Sequence, residues 1–150
     1  MIDRLVQMFK TQEEDLPLSK HDKQLAAAAL LVEAAVMDGN FDDDERTVVL
    51  DLLKDRFELS GEDAHALTQQ AETTVAESKE LYTLTRTVKD AFDHEERVEM
   101  IEMLWTVSLA DGVIHDYEAN LVRRVSGLLY VSDRESGEAR KRALTSVGIE

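Results

Sequence analysis

The chain has 150 residues, 43% apolar and 33% charged, which is enough apolar material for one buried core and too much for a disordered segment. Its formal net charge of −15 repels phosphate backbones, so nucleic acid is set aside as a partner, and cations or basic protein surfaces are favoured; the same acids also keep a small protein soluble. With no cysteine, disulfides, thiolate chemistry and zinc–sulfur sites are excluded, and one proline and six glycines leave little to interrupt helices.

Ile2, Leu5, Val6 and Phe9 recur at helical spacing and predict a short amphipathic helix. Its polar face of Asp3, Arg4, Gln7 and Lys10 is mixed, not the basic face that anionic lipid selects, so docking onto the body or onto a partner is expected. Thr11 to Lys20, with Glu13, Glu14, Asp15 and Pro17, reads as a linker. Residues 1–18 are thus expected to be an N-terminal helix and linker, and residues 19–150 one helical domain. Ser19 is placed to cap an Ala-rich helix running to about Met37. The apolar run Leu25 to Met37 is too short to span a bilayer and holds Glu33. The first residues carry an acid and no signal-peptide apolar stretch, and the expected location is cytoplasmic, with no direct membrane insertion.

Gly39 sits where a helix C-terminus wants a left-handed residue, and Asp42-x-x-Glu45 forms a capping box for the next helix. That helix, to about Phe57, is expected to bury Val48, Val49, Leu52 and Leu53. Ser60-x-x-Asp63 starts another, with Ala64, Leu67 and Ala71 inward. One around Ser78 to Phe92 turns Leu81, Leu84, Thr85 and Val88 inward. Asp93-x-x-Glu96 opens a helix with Val98, Ile101, Leu104, Trp105 and Leu109 as its apolar set. His115-x-x-Glu118 starts a helix to Leu129, and Ser132-x-x-Glu135 starts the last. No strand-like alternation occurs, so the fold class is all-α.

A short acidic phrase occurs twice, Met37-Asp38-Gly39 through Glu45 and Ala110-Asp111-Gly112 through Glu118. Alignment at Asp38 and Asp111 matches Phe41 with Ile114, Asp42 with His115, and Glu45 with Glu118. One residue of slip then matches Phe57 with Leu129, Leu59 with Val131, and Ser60 with Ser132. Repetition of this kind predicts two helix–loop–helix units packed about a pseudo-twofold, with intervening helices covering the open faces. The charge is uneven: residues 25–63 hold eleven acids and three bases, residues 103–150 seven acids and six bases.

Asp38, Asp42, Asp43, Asp44 and Glu45 carry the oxygens of a calcium loop without the EF-hand spacing, because glycine stands second from the first acid where sixth is required. Asp38, Asp42 and Glu45 are candidate ligands for Mg²⁺, Ca²⁺ or Mn²⁺. Asp111 and His115, with Glu118 beside them and acids of the first copy, would favour Zn²⁺ or another transition metal. The same residues have a reading without any ion: a helix ends at Asp-Gly, an apolar residue anchors the bend, and an acid caps the next helix and complements its dipole by roughly 0.3–1 kcal/mol.

Glu33 shares a face with Asp22, Ala26 and Ala29, either on a thin polar stripe or as a buried carboxylate needing Arg86, Arg97, Arg123 or a cation. Arg123 and Arg124 either clamp acids of the neighbouring repeat or form a solvated face. Trp105, Tyr82 and Phe92 are expected in the core, and His21, His65 and His94 on the surface with no partner visible in the pattern. A Gly-rich phosphate loop, a G-x-S-x-G elbow and an HExxH motif are all absent, so a non-enzymatic protein is the first expectation. The alternative is a metal-dependent hydrolase that uses the Asp, Glu and His residues of the two loops to activate water.

Leu31 through Gly39 with Glu45, Glu96-Arg97 through Leu104-Trp105, Ala110-Asp111-Gly112 with His115, Tyr117, Glu118 and Arg123-Arg124, and Leu128 through Asp133 together resemble the TerB family of tellurite-resistance proteins, over about residues 20–142. The resemblance implies an all-helical TerB-like fold, related also to the N-terminal region of DjlA-type membrane co-chaperones. It implies no established enzymatic activity, a link to tellurite and other stress resistance, and membership of metal-associated complexes near the inner membrane. The partners so implied are proteins, a membrane-associated complex or further copies of the chain among them. The Asp-Gly loops and nearby acids become candidate ion contacts, where His115 departs from an all-acidic pattern. A negative surface disfavours direct binding of the tellurite oxyanion.

Overall fold

The computed structural model describes residues 20–37, 42–77, 81–110, 112 and 115–148. Seven helices span them: α1 Lys20–Met37, α2 Asp43–Arg56, α3 Gly61–Glu77, α4 Leu81–Ala91, α5 His94–Ser108, α6 Asp116–Leu128 and α7 Asp133–Ser146. Among the described residues there is no strand, and no helix is long and apolar enough to cross a membrane. The helix expected over Ile2 to Phe9, the linker, the Ser19 cap and the Gly39 bend lie outside the described residues.

The helices begin where short polar side chains can satisfy the first free backbone N–H groups. Asp42 takes an extended backbone and its Oδ1 accepts from the Glu45 N–H at 2.9 Å. At Asp93 both halves of the capping box are made, the Glu96 N–H reaching Asp93 Oδ1 at 2.8 Å and the Asp93 N–H reaching Glu96 Oε1 at 2.9 Å. Ser132 and Glu135 repeat that exchange at 3.1 and 3.0 Å, and the Asp63 N–H donates to Ser60 Oγ at 3.0 Å.

α1 is the centre of the fold because from Leu25 to Ala35 it is apolar at every position but Glu33, and a helix of that kind is stable only when surrounded. Leu25 through Ala35 are all buried, its alanines letting neighbours approach closely. α5 is its counterpart, buried from Met100 through Leu109. In the first half α1 packs most extensively on α3, and in the second α5 packs most extensively on α7. The halves meet where α5 touches α1 and α2, and α4 bridges from α1 to α6. Val49, Leu53, Ala64, Leu67, Ala71, Leu84, Thr85, Val88, Ile101, Leu104, Trp105 and Leu109 are buried as expected, while Val48, Leu52 and Val98 are partly buried against the core.

The exits of α2 and α6 are built alike. Glu58 and Tyr130 adopt left-handed backbone, with φ of 53° and 57°. The next N–H turns back to the helix in each case, Leu59 to the Lys54 carbonyl at 3.0 Å and Val131 to the Ser126 carbonyl at 2.8 Å. This is the Schellman arrangement, usually closed by glycine and here by a glutamate and a tyrosine. Phe57 and Leu59 flank the left-handed residue at the first exit, and Leu129 and Val131 flank it at the second.

Candidate functional site

Of the six expected metal contacts, Asp38 and Asp111 lie outside the described residues. The other four stand at two helix starts. Asp42 is exposed and Glu45 half-buried at the start of α2. His115 is exposed, its ring stacked on Tyr117 at 5.8 Å with only 9° between planes. Glu118 is buried, and its Oε1 accepts from the His115 N–H at 3.1 Å. These hydrogen bonds are capping bonds, made by the oxygens a cation would need. Among the described residues no group of three or more His, Asp or Glu side chains is arranged to hold a metal ion.

Asp22, Ala26, Ala29 and Glu33 share one face of α1, but that face is inside the protein, with Asp22 at 7% exposure and Glu33 at 4%. The polar stripe is therefore a buried one, and the alternative of a buried carboxylate holds for Glu33. Arg97, one of the cations offered for it, donates from Nη1 to the Leu129 carbonyl at 2.9 Å. Arg86 is exposed. Arg123 and Arg124 are exposed on α6, and Arg123 bonds Asn120 on its own helix at 3.3 Å, which is the solvated face. His65 is exposed as expected. His21 and His94 are also exposed but not isolated: His21 Nε2 lies 3.1 Å from Gln70 Oε1, and His94 Nε2 lies 2.6 Å from Glu135 Oε2. Their partners are 49 and 41 residues away, beyond any local pattern.

The feature that sequence reasoning missed is an ionic bridge at Glu102. Its Oε2 takes a hydrogen bond from Arg56 Nη2 at 2.6 Å, and its Oε1 takes one from Arg142 Nε at 2.6 Å. Arg56 Nη1 also lies 3.3 Å from Glu99. Burial by itself would raise the Glu102 carboxyl; the hydrogen bonds and charges of Arg142 and Arg56 outweigh it and hold the group below the usual carboxylate range. Arg56 shows the converse, with burial acting to lower it and Glu102 and Glu99 raising it further. A signal was present: Glu102 falls four residues after Val98 and three before Trp105, on the apolar arc of α5.

Beside this bridge a groove of about 230 Å³ opens where the start of α1, the end of α2 and the first half of α5 meet. Phe57, Phe92, Met100 and Met103 make its apolar walls. Charged side chains rim it, with Lys23 Nζ 3.7 Å from Glu96 and 5.1 Å from the centre of the Phe92 ring. On the far side, Trp105 Nε1 donates to the Ser136 carbonyl at 3.1 Å and lies 3.2 Å from Ser136 Oγ, which in turn meets Ser126 Oγ at 3.3 Å. This buried knot ties α5, α6 and α7 together.

Capped helices around two central ones, an acidic surface and an ionic bridge between the halves define a small acidic helical bundle. The sequence model described as Tellurite resistance protein TerB matches residues 24–141, most of the chain, and the chain belongs to that family. No curated protein and no solved structure matches it.

Proposed function

We propose that this member of the tellurite-resistance-associated TerB family is a non-enzymatic protein-interaction module of the cytoplasm, working through its acidic face and modulated by a divalent cation at the Asp-Gly loops. The module is read as two repeated units about an approximate twofold axis. The observation that supports the reading is the surface of α2 and the start of α3, where Asp42, Asp43, Asp44, Asp51, Asp55, Glu58, Glu62 and Asp63 are all exposed. Such a surface attracts a basic partner, speeds its approach and weakens with salt. The partner class is a protein with a basic docking surface, free or held in a membrane-associated complex.

The experiment is co-purification of the full chain from its native host, beside a variant with Asp43, Asp44, Asp51 and Asp55 changed to Asn, with elemental analysis of the retained material. A partner held by the chain, released by salt and lost with the variant is the expected result. A partner retained equally by both would remove the acidic face from the proposal.

A further inference from the structure

We infer that the outer face of α6 is a docking surface for a second copy of this chain, and that what it receives is the acidic face of that copy's α2. The inference rests on the acidic-face reading and names its partner. Tyr117, Asn120, Arg124 and Gly127 are exposed at positions i, i+3, i+7 and i+10, so they share one side of the helix, with Arg123 exposed beside them. Among the described residues four large apolar side chains are exposed, and the two most exposed, Tyr117 at 55% and Tyr130 at 69%, stand at the two ends of this stripe. Tyrosine and arginine are the residues that protein interfaces concentrate at their energetic centres. Tyr130 is kept there in a left-handed backbone conformation that glycine enters freely, with Lys89 Nζ 4.8 Å from the centre of its ring.

Charge selects the occupant. Residues 123–142 hold six bases and three acids in a chain of net charge −15, whereas residues 42–63 hold nine acids and three bases. Asp44, Asp51 and Asp55 fall on one line of α2, at i, i+7 and i+11, and all three are exposed. By helix rise that line runs about 16 Å and the α6 stripe about 15 Å, so the two match in length as well as in sign. Neither set is spent inside the chain: no ion pair among the described residues involves Arg123, Arg124, Asp44, Asp51 or Asp55. α6 packs chiefly on α5, with α4 and α7 beside it, and α2 is not among its main neighbours. One surface meeting a different surface of the next copy is a heterologous contact, which adds copies head to tail unless a ring closes. The remaining like charges of two copies repel, but that field is screened over about 8 Å at physiological salt, and the opposed stripes lie within that range of each other on contact.

Sedimentation velocity of the purified full chain, from micromolar to millimolar concentration at physiological salt, reads the association directly. The expected result is growth of dimers and larger species with concentration. Arg123→Gln with Arg124→Gln removes the basic stripe, and Asp44→Asn with Asp51→Asn and Asp55→Asn removes the acidic one. Each variant alone is expected to raise the dissociation constant at least tenfold. All five side chains are exposed, so the fold is retained, and thermal melting by circular dichroism verifies it. An equimolar mixture of the two variants carries one intact stripe of each kind and is expected to give dimers and nothing larger, a result that a symmetric contact cannot produce. A parent chain that stays monomeric throughout overturns the inference, while the acidic-face reading stands or falls separately by capture from the host. Loss of association with the α2 variant but not with the α6 variant also overturns it and leaves the acidic face in place.

Discussion

Arg56 Nη2 and Glu102 Oε2 are 2.6 Å apart, and that single contact joins the end of α2 in the first half of the chain to the middle of α5 in the second. Arg142 reaches the other oxygen of the same carboxylate from α7, also at 2.6 Å. One buried acid thus holds three helices together, and its removal leaves two guanidinium groups facing each other. Glu102→Ala is expected to cost about 2 kcal/mol, below the 3–5 kcal/mol typical of a fully buried pair because half of the Arg142 side chain is exposed to water. For a domain of this size the melting temperature falls by roughly 4–8 °C. Arg142→Ala costs less than Arg56→Ala for the same reason. Since the Glu102 carboxyl ionises below its usual range in the folded state, this stabilisation is complete above the ordinary carboxylate value and fades as acid approaches the folded one. Thermal unfolding of the three variants across pH reads both effects.

His94 and Glu135 predict a second acid-sensitive contact. The His94 hydrogen bond, helped by the Ser132 N–H, pulls the Glu135 carboxyl from 4.5 down to about 2. A carboxyl depressed on folding stabilises the protein fully above its unfolded value, and that contribution drains away as pH falls from 4.5 towards 2. His94→Ala is expected to flatten the stability profile over that interval. Urea unfolding at closely spaced pH values, with and without the substitution, measures the difference in slope; equal slopes would dismiss the contact.

The fold was legible because its signals are local. Asp93 with Glu96 and Ser132 with Glu135 announce helix starts within four residues. Glu102 was on the wrong side of that logic. Its partners lie 46 and 40 residues away, so only its place on an apolar arc hinted at them. Glu33 was ambiguous for a related reason: a helix buried on all sides has no solvent face for a polar stripe to mark. The site was less legible than the fold, since residues that cap a helix and residues that hold a cation are of the same types at the same spacing.

Trp105 and Ser136 give a graded test of the buried knot. Ser136→Ala removes the hydroxyl between Trp105 and Ser126 but leaves the Ser136 carbonyl, which still accepts from the indole at 3.1 Å. The cost is therefore about 1 kcal/mol, one ordinary hydrogen bond. Trp105→Ala empties a large buried volume and costs about 3–5 kcal/mol. Denaturant titration followed by circular dichroism orders the two; comparable losses would mean that the hydroxyl, not the ring, carries the joint.

Glu58 is held in a left-handed backbone conformation that glycine enters freely and other L-residues at a cost of about 1–2 kcal/mol. Its side chain is exposed, so little contact is forfeited on removal. Glycine gives back roughly 0.5–1 kcal/mol in chain entropy. Glu58→Gly is accordingly expected to stabilise the protein by about 0.5–1 kcal/mol, whereas Glu58→Val destabilises it. The corresponding exchange at Tyr130 gains less, because the ring lies 4.8 Å from Lys89 and that cation–π contact is lost. Melting curves of the three variants decide it.

Asp42 separates the two readings of the acidic loop. As an N-cap whose Oδ1 receives the Glu45 N–H, it contributes about 1 kcal/mol, and Asp42→Ala removes that amount whether or not divalent ions are present. As a cation ligand it contributes nothing extra in chelator and progressively more as the ion is added, because a ligand bound only to the native state stabilises by RT ln(1 + [L]/Kd). Asp42→Asn sharpens the contrast, since asparagine caps as well as aspartate but is a poorer ligand for a hard cation. With Ca²⁺, Mg²⁺, Mn²⁺ and Zn²⁺ titrated to millimolar levels, an ion-binding loop gives a rising melting temperature in the parent chain and a blunted rise in Asp42→Asn. A parent chain whose melting temperature ignores all four ions leaves the capping role alone standing.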